Sequence, residues 1–319
     1  MSGVFICDLL RTPFGRRDGA LRLLSRDALT SAVVRGLSER NGLGGKGLPA
    51  HGIEELERVL TGEGGACIVC GAAADEAATS ADPWFEAADA VAARWRIGRE
   101  IADLFAAESH EKAVLAQKQG FLADQILVME LPAVAGGQEI LERDELPRGN
   151  VSPESLRAFA PKRAGGTATE GNVPAAAIGA AAMLLSGESF AHEHGLRRLV
   201  RLCAMAAVED EPNLLGSGMI AAVERVTERA GVRRNDVGLW EIHEPSAAHC
   251  VALISELDLP FDRVNAWGGA IARGHAASAA AVQLLGTLAR QMERYEVELG
   301  VAAFIGGGQG RAALLRRAG

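Results

Sequence analysis

Aromatic side chains are scarce: Phe, Trp and Tyr together make up 4% of the 319 residues, and there is a single tyrosine. Surfaces for stacking bases are therefore few. Lys and Arg number 33 against 41 Asp and Glu, a net charge of −8, so no excess of positive charge is available to meet a phosphate backbone, and nucleic acid is excluded as a partner. The same acidity gives no attraction to an anionic membrane. Long apolar runs are also missing. The longest uncharged one, residues 173–185, falls short of the roughly 20 residues that cross a bilayer and reads instead as a buried helix rich in Ala and Gly. No basic segment precedes the apolar residues 4–10, so no signal peptide is expected and the location expected is cytoplasmic. No phosphate-cradling fingerprint of the Gly-x-Gly-x-x-Gly or Gly-Lys-Ser/Thr kind supports a nucleotide site. The five cysteines, odd in number and scattered, fit free thiols in a reducing compartment rather than a disulfide framework.

What is present is 48% hydrophobic residues, largely Ala, Gly, Val and Leu, with 23% charged, the composition of a folded, helix-rich α/β protein. Residues 3–10 are β-prone and apolar, as a strand buried on both faces should be. Residues 21–40 carry Leu24, Leu29, Val33, Val34 and Leu37 at helical spacing, ending at Asn41-Gly42. Residues 66–72 read as a strand. Cys67-x-x-Cys70 therefore lies within it, with no second pair, and is read as core thiols rather than a redox or metal motif. Residues 83–120 read as two amphipathic helices, one with Trp84, Ala88, Val91, Ala92 and Trp95 on its apolar face, with His110 placed on a helix surface. Residues 142–148 read as a solvated charged connector. After residue 198 strand and helix alternate: 199–208, 217–230, 237–242, 247–257 and a last short strand at 261–265, a pattern that gives a mixed sheet with helices on both faces.

Three stretches in the last quarter concentrate the chemistry. Leu239-Trp240-Glu241-Ile242 runs into His243-Glu244-Pro245-Ser246; Gly268-Gly269-Ala270-Ile271-Ala272-Arg273-Gly274 runs into His275; and Phe304-Ile305 runs into Gly306-Gly307-Gly308-Gln309-Gly310. Each sets a glycine-rich or polar turn directly after an apolar segment, where backbone N–H groups and reactive side chains gather. His243 and His275 can donate to a developing oxyanion or move a proton near neutral pH. The glycines let backbone approach a ligand closely.

In this order the three turns resemble the signatures of the thiolase superfamily, an Asn/His-Glu-Ala-Phe turn, a Gly-Gly-x-x-x-x-Gly-His-Pro turn and a Cys-x-Gly-Gly-Gly-Gln-Gly turn. Val4 to Gly15 is similar to the family's first strand and turn, and Gly165 to Asn172 to its Thr-x-x-Gly-Asn turn. The histidine at 243 is similar to the trifunctional-enzyme type. The resemblance implies a thiolase-like α/β fold of two sheet-and-helix halves with a helical loop region: residues 1–82 a truncated N-terminal half, 83–150 the loop region, 151–197 a return to the first half, and 198–319 an intact C-terminal half. It further implies acyl-CoA acyltransferase chemistry, as in fatty acid metabolism. His275 and His243 fall at the base and oxyanion positions, and the Gly306 N–H at the second oxyanion hole. Gly307, Gly308 and Asn172 fall near a CoA site.

The chain also departs from the pattern. The family's nucleophilic cysteine and its buried helix have no counterpart between residues 60 and 66. Phe304 stands where the acid/base cysteine belongs, and the CoA-contacting serine is absent from Val173-Pro174-Ala175-Ala176. The function expected is a thiolase-family protein impaired in catalysis. The alternatives left open are an active acyltransferase with a relocated nucleophile and a scaffold subunit of a complete thiolase. No cofactor or metal is expected; acyl-CoA or a small acyl group is the expected ligand, and a homodimer or a heteromer with a thiolase-like subunit the expected assembly.

Overall fold

A computed structural model describes residues 3–55, 65–74, 82–132, 137–211, 214–306 and 308–319. The apolar run near the N-terminus forms β1 (Val4–Arg11), seven of whose eight residues are buried. Its long neighbour is β7 (Ala177–Gly187), antiparallel to it from Val4↔Gly187 to Arg11↔Ala181. On its other edge β1 pairs with β8 (Val200–Glu209) through Val4↔Leu202, Phe5↔Arg201 and Ile6↔Val200. That short junction joins the two halves into one nine-stranded sheet.

The first half contributes β2 (Gly15–Arg16), β3 (Ala50–His51) and β4 (Ala66–Ala73) beside β7 and β1. The second contributes β9 (Leu239–Ile242), β10 (Leu299–Gly306) and β11 (Gln309–Arg317) beside β8, in the order β3-β4-β7-β1-β8-β11-β10-β9, with β2 on β7. A separate hairpin is formed by β5 (Met129–Pro132) and β6 (Gln138–Leu141).

Helices cover both faces. On one face of the first half lies α1 (Arg26–Arg40), whose Leu29, Val33 and Leu37 pack with Leu10, Ile68 and Ala180. The opposite face, across both halves, is covered by a single helix of chain-end residues. This helix follows α2 (Asp82–Trp95), α3 (Arg99–Lys118), α4 (Pro153–Leu156), α5 (Glu188–Glu193), α6 (Gly218–Ala230), α7 (Ala247–Leu257) and α8 (Ala270–Arg273), and is α9 (Ala277–Arg294). Its Val282, Leu285, Leu288 and Met292 share one core with Ile6, Leu9, Val69 and Met183 of the first half and Ala302 and Phe304 of the second. The outer face of the second half carries α6, with Met219, Val223 and Val226 against Ala206, Val301 and Leu314.

Several expectations are corrected. Residues 173–185 are not a buried helix: from Ala177 onward they are β7, hydrogen-bonded on both edges by β1 and β4 and buried throughout. A strand covered by helices on both faces loses its alternation and cannot be told from a buried helix by periodicity. Residues 261–265 are a 3-10 turn, Phe261–Arg263, with a bridge from Val264 to Trp240, because Pro260 and Asp262 suit a turn better than a ladder. The first helix starts at Arg26, capped by Ser25, with residues 20–23 a separate 3-10 turn.

The connector at 142–148 is not simply solvated, for Asp144 is buried in a bidentate ion pair with Arg11 and accepts the Phe14 N–H. His110 is buried rather than on a helix surface; the Arg148 N–H donates to its Nδ1 at 3.2 Å, and burial pushes its pKa down to about 4. The strand at 66–72 and the two helices at 83–120 stand as β4, α2 and α3. Residues 53–60 lead in sequence toward a second strand, but residues 56–64, Gly62 and Gly64 among them, lie outside the described residues. Among the described residues no helix is long and apolar enough to cross a membrane.

Candidate functional site: a paired histidine at the end of two parallel strands

β9 and β10 run parallel, with Ile242 opposite Ala303, so the residues that follow them emerge at the same end of the sheet. His243 is the first residue beyond β9, and its N–H donates to the Ala303 carbonyl at 2.7 Å. Three residues beyond Ala303, β10 ends at Gly306. The turn at His243 is held by Asn265, whose backbone is left-handed at φ 47°. Its Oδ1 accepts the Ile242 N–H at 2.7 Å, and its Nδ2 donates to the Ile242 carbonyl at 3.0 Å and to Glu244 Oε1 at 2.7 Å.

Glu244 in turn ties three elements together. Its Oε2 accepts from Ser109 Oγ of α3 at 2.9 Å and from the Ile271 N–H of α8 at 2.8 Å, while Ser109 Oγ accepts the Gly269 N–H at 3.1 Å. The Gly268-Gly269 turn is pressed so close that a Cβ on Gly269 would lie 2.0 Å from Glu244 Cδ, and Gly268 takes φ 75°. Burial raises the Glu244 carboxyl's pKa, against the hydrogen bonds that favour its charged form. Nothing in the sequence distinguished Glu244, Asn265 or Ser109 as the frame of the site, except that Glu244 is the second residue of the first signature.

The second turn delivers His275, whose N–H donates to Ala175 at 2.8 Å and whose carbonyl accepts from Ala177 at 3.0 Å. The two histidines meet: His243 Nε2 and His275 Nδ1 are 3.1 Å apart, with ring centroids at 4.9 Å. His243 is buried, and its Nδ1 has no hydrogen-bond partner among the described residues. His275 is partly exposed, and the Trp84 ring of α2 stands edge-on to it at 6.2 Å. Burial lowers the pKa of His275 to about 4 and that of His243 well below its ordinary value, the latter helped by the neighbouring His275 and His249. At neutral pH the pair is uncharged.

The other candidate residues are placed as follows. Phe304 is buried in the same core as Ala276 and Ala279, which flank the start of α9. The Gly306 carbonyl accepts from Arg311 Nε at 3.1 Å, and Gly308 is exposed at φ 76°, opposite sides of the β10–β11 turn. Gly307 lies outside the described residues. Asn172 is buried, with its Oδ1 accepting from Thr169 and its Nδ2 donating to Asp103 and Thr167. Its carbonyl accepts the Ala247 N–H at the start of α7, so its role here is to dock that helix.

Burial holds three of the thiols in their protonated form. Cys7 and Cys67 are pushed up to about 12 and about 11 by burial, and Cys250 well above its ordinary value by burial and the charge of Glu244. Cys250 Sγ lies 3.7 Å from the His243 carbonyl. Cys70 packs on the α1 side of the sheet. A feature without sequence signal is the bond from Ser246 Oγ to His249 Nδ1 at 2.7 Å, with His249 Nε2 held by the Leu215 carbonyl at 2.7 Å. No cluster of three or more metal-ligating side chains occurs among the described residues.

The family models for the thiolase N-terminal domain and the thiolase C-terminal domain match residues 84–189 and 196–317. The chain belongs to the thiolase family. Among curated relatives, the acetyl-CoA acetyltransferase of Allochromatium vinosum is 35% identical over 232 residues, 72% of this chain and 59% of that protein. The 3-oxoadipyl-CoA/3-oxo-5,6-dehydrosuberyl-CoA thiolase of Escherichia coli K12 is 36% identical over 236 residues, 73% of this chain and 59% of the relative. The match thus spans about three-fifths of the length of these thiolases. In fold, the chain superposes on human mitochondrial 3-ketoacyl-CoA thiolase with a TM-score of 0.91 at 20% identity, over 99% of each chain. The match to the N-terminal family model begins at Trp84, the residue that flanks His275.

Proposed function

We propose that this thiolase-family chain holds a short acyl group or small acid without covalent chemistry at the His243–His275 pair, and does not carry out thiolytic acyl transfer. The observation that carries the reading is the direct bond between the two imidazoles. Acyl transfer of the thiolase type needs a thiolate beside an imidazole that takes its proton. Here His275 Nδ1 faces a second imidazole, and Phe304, without a titratable proton, fills the position of the acid/base cysteine by resemblance. The two imidazoles and the backbone at the end of β10 still offer hydrogen-bond donors of the kind that polarise a carbonyl oxygen. Loss of polar residues at Pro174 and Ala175 argues for weak grip on the CoA portion.

A relocated nucleophile is the second reading, and Cys250, 3.7 Å from the His243 carbonyl, is its nearest candidate. Its raised pKa keeps it a thiol at neutral pH, which disfavours that route. The assembly proposed is a homodimer, or a heteromer with a thiolase-like subunit, since an N-terminal half that has lost a central helix leaves more apolar surface to cover; light scattering showing a monomer at micromolar concentration would overturn the homodimer. Calorimetric titration with acetyl-CoA tests the binding reading. Binding weakened at least tenfold by His243→Ala and by His275→Ala is expected, whereas binding untouched by both changes would place the ligand elsewhere.

A further inference from the structure

Two neutral imidazoles carry two ring protons on four ring nitrogens. Because His243 Nε2 and His275 Nδ1 face each other at 3.1 Å, one of those protons lies between them. The other must sit on one of the two outer nitrogens, His243 Nδ1 or His275 Nε2, and the remaining one is bare. The linked pair therefore offers one donor and one acceptor, never two donors, as long as it is neutral. His243 Nδ1 is the buried outer nitrogen, with no hydrogen-bond partner among the described residues; His275 is the partly exposed member and the one a ligand meets first.

We propose that the pair is a proton-coupled site for a carboxylate: binding the anion at His275 Nε2 draws one proton from solvent onto His243 Nδ1. This inference rests on the reading above, that a small acyl ligand occupies this site. A carboxylate only accepts hydrogen bonds, so His275 Nε2 must carry its proton. His275 Nδ1 must then accept from His243 Nε2–H, which leaves His243 Nδ1 bare in the interior, an unsatisfied acceptor. Protonation there gives the pair a positive charge to match the anion, and that attraction is what favours uptake, since the new Nδ1–H replaces an unpaired acceptor with an unpaired donor. The balance is one proton gained from solvent, with no covalent bond formed or broken. A neutral thioester carbonyl at the same nitrogen brings no negative charge and draws no proton.

Among the described residues no neighbouring group competes for this role. From α7, His249 has both ring nitrogens engaged by Ser246 and Leu215, and Cys250 keeps its proton. Glu244, in the turn between β9 and α7, is bound by Asn265, Ser109 and the Ile271 N–H. From α8, Arg273 donates to the Trp267 carbonyl and stands 3.7 Å from Glu241. Against His275 itself stand uncharged groups, the Trp84 ring from α2 and the Ala175–Ala177 backbone. Burial keeps the free pair neutral at pH 7, which is the condition for uptake on binding.

The test is calorimetric titration of the whole chain with sodium acetate at pH 7 in two buffers of different ionisation enthalpy. About one proton taken up per acetate bound is expected, with apparent affinity falling about tenfold per pH unit above neutrality. S-acetyl-N-acetylcysteamine, a neutral thioester, should bind without uptake. His243→Asn, a residue the first signature also accommodates, should bind acetate with no proton uptake; ring-nitrogen NMR of the unaltered protein, reading a new protonated His243 signal on adding acetate, gives the same answer without a substitution. Acetate binding with no uptake, or equal uptake in His243→Asn, would overturn the proposal while leaving the acyl-binding reading in place. Failure of both acetate and acetyl-CoA to bind would remove both.

Discussion

Charges in this interior are placed in pairs. Arg11 and Asp144 are buried and bidentate, with N–O distances of 2.6 and 2.9 Å, and Arg273 and Glu241 are buried at 3.7 Å. Such pairs add little net stability against an apolar alternative, because desolvation offsets attraction, but removing one partner costs about 3–5 kcal/mol. Their work is positional: Asp144 fixes the turn after β1, while Arg273 bonds the Trp267 carbonyl two residues before Gly269, in the turn that leads to His275. These residues were illegible in the sequence, since a charged run such as Glu142 to Arg148 looks the same whether it faces water or a buried guanidinium. The histidines were legible by contrast, because each closes a glycine-rich or polar turn of a recognisable signature. What their spacing did not reveal is that they bond each other, as 32 residues separate them in the chain.

At the scale of elements, α9 covers one face of the sheet across both halves. It presses against β4 at Gly71, where a Cβ would lie 2.0 Å from the Ser278 carbonyl oxygen, and against β1 through Gly286, where a Cβ would lie 2.6 Å from Leu9 Cδ2. Two glycines thus let the helix lie close against the first half. Gly71→Ala should lower stability by about 1–3 kcal/mol, since the contact is with backbone and cannot be relieved by a rotamer change. Gly44→Ala, whose nearest neighbour would be 3.9 Å away, should be nearly neutral. Urea denaturation of the two variants checks this, and equal midpoints would mean that α9 does not press on β4 as described.

The same crowding explains which elements the sequence revealed. β1, β4, α2, α3 and α7 carry their own period or length. The Ala-rich β7 does not, because its identity is set by partners on both edges and helices on both faces.

Over the whole molecule, the fold of a thiolase persists, with the turns that carry His243 and His275 brought together, and we propose, as above, that acyl transfer is lost from it. Fold and chemistry can separate in this way because the sheet and its turns depend on backbone and packing, whereas acyl transfer depends on one activated thiolate. Thiolysis of acetoacetyl-CoA by free CoA, followed by loss of the substrate's absorbance, tests this most directly. The account predicts no turnover above the uncatalysed rate, for the unaltered chain and for His275→Ala alike. Turnover that is abolished both by His275→Ala and by changing one of the five cysteines to alanine would contradict it and identify the nucleophile.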